Sequence, residues 1–282
     1  MRLKGKGSRT AGAFLAASAV LAPLALAGAG ERTVVSEPFT LAGDNISTQL
    51  AKCGAGSQVT GGGFSITPTG PTDIGTRVKS LFPTGDRKWY AVIDNLSSAE
   101  RQAKSYAVCR KGGKLSTVEK TEVVDGSVDQ QPDVTAKCPK GSSATGGGAA
   151  QTGSHLDSYT MESRPKGDRG WYVRSYVSLD FIGEHAAYAI CDPEKSNKYD
   201  SVAKIEAPPP RAASRRGTAY EVTAKAKCPK GAVTTGGGFA TRDNPNRAVI
   251  ENRPKGERTW LGTVRTYLPE EGFTSYARCL LG

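Results

Sequence analysis

Six cysteines fall into three pairs, each at a fixed distance from a run of three glycines, and this constrains the chain more than any other feature. The pairs are Cys53 with Cys109, Cys138 with Cys191, and Cys228 with Cys279. The segments "TGGGF" (60–64), "TGGGA" (145–149) and "TGGGF" (235–239) start their glycine triplets, Gly61–Gly63, Gly146–Gly148 and Gly236–Gly238, eight residues after the first cysteine of each pair. One tryptophan per unit, Trp89, Trp171 or Trp260, stands 20, 20 or 19 residues before the second cysteine. It follows a recurring turn, "FPTGDRKW", "RPKGDRGW" or "RPKGERTW", and each unit closes on "SYAVC", "AYAIC" or "SYARC". Self-similarity with a period of about 85 residues signals one structural unit written three times.

Ahead of the first unit, Arg2, Lys4, Lys6 and Arg9 precede the acid-free apolar run "AGAFLAASAVLAPLALA". A basic start, an apolar middle and small residues at the end make a secretory signal peptide, with cleavage predicted after Ala27 or Ala29. Pro23 interrupts the run and leaves it short of a membrane span. The predicted organisation is a signal peptide at 1–27 and β-modules at 28–112, 113–195 and 196–282. The expected location is secreted or envelope-associated.

The whole chain holds 38 Lys+Arg and 27 Asp+Glu; the signal peptide takes four of the basic residues, leaving 34 against 27, or +7. That excess suits an anionic wall or extracellular polymer as partner. The densest basic segment, "PPPRAASRRGTAYEVTAKAKCPK", lacks interleaved stacking aromatics, and an exported chain meets little nucleic acid, so that class of partner is excluded. Within it, 207–217 is an insertion peculiar to the third unit, predicted as an extended surface loop because consecutive prolines cannot donate to a sheet.

Local patterning is that of β-structure. "WYAVIDN", "WYVRSYV" and "WLGTVRTY" are short, aromatic or β-branched segments bounded by turn residues. The Pro-x-Gly before each tryptophan predicts a tight turn with proline at its second position, so that the tryptophan begins the second arm of a hairpin. Period-two counting puts Trp89, Ala91 and Ile93, and equally Trp171, Val173 and Ser175, on the face to be buried. No apolar stripe of helical period persists over three turns, which predicts an all-β chain. Tyr106, Tyr188 and Tyr276 lie three residues before the second cysteine, on the strand face opposite to that of an immunoglobulin corner tyrosine.

A domain of this size buries a modest share of its surface, and closing a loop of 51 to 56 residues adds about 4 kcal/mol in the chain-entropy model. Six cysteines allow 15 pairings, but one pair per repeat predicts bonds within units. No C-x-x-C occurs and the only histidines, His155 and His185, both lie in unit two. Three equivalent metal sites cannot be built from them, and no cofactor or metal is expected. The glycine triplets do not lead into helices and lack the lysine of a phosphate loop. They read as architecture: backbone with positive φ, a bulge, or a close approach, with room for the tryptophan ring.

No nucleophile elbow or H-E-x-x-H is present, and no catalytic residue is assigned. A triad could be drawn only through His155 or His185 with Asp157 or Asp180. The one recurring polar step is Gly-Asp/Glu-Arg before each tryptophan, which singles out Arg87, Arg169 and Arg258 as three-fold repeated contacts for a polymeric ligand.

The pattern C-x-x-G-x-x-x-x-G-G-G, then an S/R-x-P-x-G turn, W and Y-A-x-C, resembles a module repeated in secreted actinobacterial proteins of unassigned function. "CPKGSSATGGG" with "YAIC" and "CPKGAVTTGGG" with "YARC" carry it most literally; "CGAGSQVTGGG" in unit one lacks the proline, and Phe82 stands before its turn proline. The resemblance implies export and an all-β, disulfide-bonded module, and brings no enzymatic activity or ligand residues. The predicted fold is three tandem disulfide-stapled, β-sandwich-like modules; separable beads fit self-stapled units more naturally than the alternative, one pseudo-threefold β assembly. The expected function is a non-enzymatic secreted protein that binds, or forms part of, an extracellular or cell-envelope surface. An exported hydrolase with its site in module two is the alternative from another class, and a secreted inhibitor or effector is a third.

Overall fold

The structure, a computed structural model, describes residues 30–70, 73–125, 131–153, 158–178, 182–194, 198–206, 219–241, 247–267 and 272–282. The predicted signal peptide, His155, Asp157, Asp180 and the 207–217 insertion lie outside the described residues. All the elements are strands. The first unit holds β1 (Glu31–Val35), β2 (Phe39–Leu41), β3 (Asn45–Lys52), β4 (Ser57–Thr67), β5 (Thr76–Thr84), β6 (Lys88–Asn95) and β7 (Arg101–Lys111). The second holds β8 (Ser116–Asp125), β9 (Asp133–Lys137), β10 (Ser143–Gly153), β11 (Tyr159–Lys166), β12 (Gly170–Tyr176) and β13 (Ile182–Asp192). The third holds β14 (Tyr199–Glu206), β15 (Tyr220–Lys227), β16 (Val233–Thr241), β17 (Arg247–Lys255), β18 (Thr259–Thr266) and β19 (Phe273–Leu280).

The tryptophan hairpins form as their composition requires, with one adjustment. Pro83, Pro165 and Pro254 pair in register with Trp89, Trp171 and Trp260, so each proline stays in the first strand, one residue from its end, instead of entering the turn. The connection starts at Gly85, Gly167 or Gly256, whose φ of 57°, 65° or 67° favours a residue without Cβ. Trp89, Ala91 and Ile93 are buried, as are Trp171, Val173 and Ser175.

Each unit splits into two three-stranded halves that face one another across its tryptophan. One half holds the hairpin and the strand before the first cysteine; the other holds the glycine strand, the strand of the second cysteine and the first strand. The units are not beads, because the halves of neighbouring units join edge to edge into three six-strand runs. Sheet I runs β1-β7-β4-β17-β18-β15 with β2 also on β7, sheet II β3-β6-β5-β10-β13-β8, and sheet III β14-β19-β16-β11-β12-β9. The three seams are short: Phe64 opposite Asn252, Ala149 opposite Leu81, and Phe239 opposite Ser163. Every unit gives its glycine strand to the seam with the preceding unit, and unit one closes the ring on unit three.

The disulfides Cys53–Cys109, Cys138–Cys191 and Cys228–Cys279 have Cα separations of 5.7, 5.5 and 5.6 Å. Each links the end of a hairpin half to a glycine-strand half, so each fastens one sheet to the next.

The three glycines of a triplet have three different neighbours. The first sits on the pseudo-threefold axis: a Cβ on Gly61 would lie 2.7 Å from the Cα of Gly236, one on Gly236 3.0 Å from that of Gly146, and one on Gly146 3.1 Å from that of Gly61. The second lies under its own indole, where a Cβ on Gly62, Gly147 or Gly237 would overlap Cγ and Cδ2 of Trp89, Trp171 or Trp260. The third faces the backbone across the seam, so that a Cβ on Gly63, Gly148 or Gly238 would overlap the carbonyl of Asn252, Leu81 or Ser163. None has positive φ. The ladder bulges just before each triplet, between Val59 and Gly61, Ala144 and Gly146, and Thr234 and Gly236. The extra residue is in every case a buried threonine. Their hydroxyls close a cycle about the axis: Thr60 Oγ1 donates to Thr235 O (2.8 Å), Thr235 Oγ1 to Thr145 O (2.7 Å), and Thr145 Oγ1 to Thr60 O (2.9 Å).

Candidate functional site

The only histidine among the described residues is sealed. His185 and Ser175 are both fully buried, with Ser175 Oγ 3.0 Å from His185 Nδ1. No reactant reaches that hydroxyl, and the pair belongs to the core of module two. Burial pulls the His185 imidazole down to about 4, against a smaller opposing effect of Asp133. Unfolded chain therefore binds a proton near the ordinary pH of 6.5 that folded chain refuses until about 4. Stability is full above the unfolded value and falls as pH drops through that window, by roughly 3 kcal/mol. Urea denaturation at pH 7 and pH 4.5 should show the loss, and His185→Gln should flatten it; equal slopes in both proteins would assign the acid sensitivity elsewhere. Among the described residues, no group of three or more His, Cys, Asp and Glu could hold a metal ion.

Two of the turn arginines, Arg87 and Arg258, spend their side chains on the frame. Arg87 donates from Nε and a terminal nitrogen to Cys53 O (3.1 and 2.9 Å), and Arg258 donates to Cys228 O (2.9 Å). The carbonyl of Arg169 accepts the Cys138 N–H at 2.8 Å. These contacts tie each turn to its disulfide. The acidic neighbour has a framing part too, since Asp168 accepts from Ser143 Oγ (2.7 Å) and from Arg278 (2.8 Å).

Three units meet in one buried polar cluster. Arg110 of unit one donates to Asp192 of unit two (2.8 Å) and to the Tyr199 hydroxyl of unit three (2.7 Å), which itself donates to Asp192 (2.7 Å). All three residues are buried. Burial alone would raise the Asp192 carboxyl, but the bonds from Tyr199 and Arg110 outweigh it and hold it below its usual range. Arg278, 2% exposed, stacks over the Tyr199 ring at 5.5 Å. It also bonds to Ala144 O (2.6 Å), Asp168 O (2.6 Å) and Ser201 Oγ (2.8 Å).

The outward faces of the sheets carry a repeated pairing of a ring with an arginine or a second ring, partly exposed on sheets II and III, while on sheet I its tyrosine, Tyr106, is buried. At each seam the tyrosine of Y-A-x-C meets the residue before the turn proline of the preceding unit. On sheet II, Phe82 stacks on Tyr188 at 5.5 Å and on Tyr90 at 5.6 Å, and the Tyr188 hydroxyl donates to Glu119 (2.9 Å). On sheet III, Arg164 lies 4.5 Å from the Tyr172 ring and 5.7 Å from that of Tyr276, braced by Glu162 at 2.7 Å. On sheet I, Arg253 lies 5.6 Å from the Tyr106 ring and is braced by Glu251 at 2.9 Å. Phe82, Tyr90, Tyr188, Arg164, Tyr172, Tyr276 and Arg253 are all partly exposed. Burial raises the hydroxyls of Tyr172, Tyr188 and Tyr276, so they stay protonated and can donate. A shallow hollow of about 370 Å³ opens beside Phe82 and Tyr188. Aromatic faces, braced guanidinium planes and phenolic donors in a row can stack on and hydrogen-bond an extended ligand.

The sequence put the three tyrosines on the strand face opposite to that of an immunoglobulin corner tyrosine; it could not show that their partners come from the neighbouring unit. The departure of Phe82 from the pattern was the available signal, since an aromatic ring takes the place of arginine over the same tyrosine. No family model matches this chain, and no curated protein matches it.

Proposed function

We propose that this is an exported, non-enzymatic binding protein whose three sheet faces hold an anionic cell-wall or extracellular polymer. The observation that carries the reading is the recurrence, at all three seams, of a tyrosine stacked on an arginine or a phenylalanine. Three disulfides suit an oxidising location outside the cytoplasm. Among the described residues no helix is long and apolar enough to cross a membrane. The sealed Ser175–His185 pair weighs against the hydrolase alternative. Arg87 and Arg258, engaged with cysteine carbonyls, are weaker candidates for ligand contact than the strip residues.

The test is co-sedimentation of the oxidised mature protein, residues 28–282, with purified bacterial cell walls over a salt series. Retention that falls as salt rises is expected. Replacing Tyr188 and Tyr276 together by alanine should lower apparent affinity on the order of tenfold, because two of three linked contacts are weakened. Retention unaffected by the double variant would remove the strips as the site; no retention at low salt would remove the envelope reading.

A further inference from the structure

The residue before the second cysteine points into the junction with the preceding unit, and the three units fill that junction differently. In unit three it is Arg278, whose guanidinium bonds to Ala144 O, to Asp168 O and Oδ1, and to Ser201 Oγ. In unit two it is Ile190, buried in the same apolar cluster as Val59. In unit one it is Val108, and there the junction is a cleft of about 830 Å³.

That cleft is framed by the counterparts of the Arg278 partners. Thr234, six residues after Cys228, corresponds to Ala144, six after Cys138; Glu257 of the turn corresponds to Asp168. Thr33 stands in register with Val108 as Ser201 does with Arg278. All four, Thr33, Val108, Thr234 and Glu257, line the cleft. The frames also share a bond: Glu257 O accepts the Thr234 N–H at 2.7 Å, as Asp168 O accepts that of Ala144 at 2.9 Å. Two further charged residues line it, Glu31 and Arg32, and the Glu31 carboxylate lies 4.0 Å from the Arg110 guanidinium. What distinguishes the two junctions is thus a side chain that spans one and falls short in the other.

We propose that the cleft between units one and three is a receptor for a guanidinium group, as presented by an arginine side chain of a protein partner. The chain shows at its own second junction what these acceptors hold: a planar fork of donors set against two carbonyls, a hydroxyl and a carboxylate. A fork matches that set where a point charge does not. The site is independent of the outer tyrosine strips and stands or falls separately from them.

The test titrates N-acetyl-L-arginine methylamide into the oxidised mature protein by NMR, with the lysine analogue as comparison. Saturable shifts at residues around Val108 and Glu257 are expected, with the lysine probe at least about tenfold weaker. Glu257→Gln, an exposed position, should weaken the arginine probe about tenfold, and Val108→Arg should abolish binding by filling the cleft from within. Absence of saturable binding by the wild type, equal binding of the lysine probe, or binding that survives Glu257→Gln unchanged would each overturn the assignment.

Discussion

Gly62→Val should destabilise the protein by roughly 4 kcal/mol or more, placing it among the most damaging single substitutions available in this fold. A Cβ at Gly62 would overlap Cγ and Cδ2 of Trp89 and the carbonyl of Tyr106 at once. The indole cannot retreat, because Trp89 is 1% exposed and packed between two half-sheets; the carbonyl belongs to a paired strand. Gly147 and Gly237 stand in the same relation to Trp171 and Trp260, so alanine at either should act in the same direction. Gly54 has nothing within 4 Å of a built Cβ, which makes Gly54→Ala the matched control, expected near neutral. Thermal and urea denaturation of the four variants decides the matter. A Gly62→Val protein as stable as the control would show that the triplet does not serve to admit the tryptophan.

Asp192→Ala should cost about 3–5 kcal/mol, since it leaves Arg110 buried without its carboxylate. The effect should be larger than for a surface ion pair, as Arg110 and Asp192 are 4% and 1% exposed and both bond to Tyr199. Because the three residues come from three units, the loss should appear as weakened cohesion of the whole ring, with one cooperative transition moving to lower denaturant. Asp192→Asn keeps an acceptor for the Tyr199 hydroxyl and should fall between the two. A change within about 0.5 kcal/mol for the alanine variant would show that the cluster does not hold the units together.

The comparison with the junction arginine sharpens this point. Burial lowers the Arg278 guanidinium, opposed by Asp168, and its bonds are divided between two backbone carbonyls, Ala144 O and Asp168 O, and two side chains. Arg110 is held by side chains alone: the Asp192 carboxylate and the Tyr199 phenol by hydrogen bonds, with the Glu31 carboxylate 4.0 Å away. The two arginines therefore join units by different means, one partly through backbone carbonyls and one through side chains only.

Much of the module was legible from residue order alone. Cysteine spacing, the tryptophan arms and period-two burial depend on neighbours within about 56 residues of one another, and local sterics and strand alternation determine them. The glycine triplet was legible as architecture for the same reason: no helix follows it and no lysine supports a phosphate. The turn came out two residues late because pairing with the tryptophan holds the proline in the strand, which a dipeptide signal does not reveal.

What only the tertiary structure decided is where each unit ends in space. A half-sheet with a free edge demands a partner strand, and a sequence cannot say whether that partner is its own unit's or the next one's, because backbone pairing carries no residue code. Closing three units into a ring gave Gly61, Gly146 and Gly236 their meeting on the axis, set Phe82 over Tyr188, and brought Arg110, Asp192 and Tyr199 together across long stretches of chain. The sequence by itself determined the parts, through distances short enough for local physics to act. The sites lie at the seams between parts, and those exist only after the ring has closed.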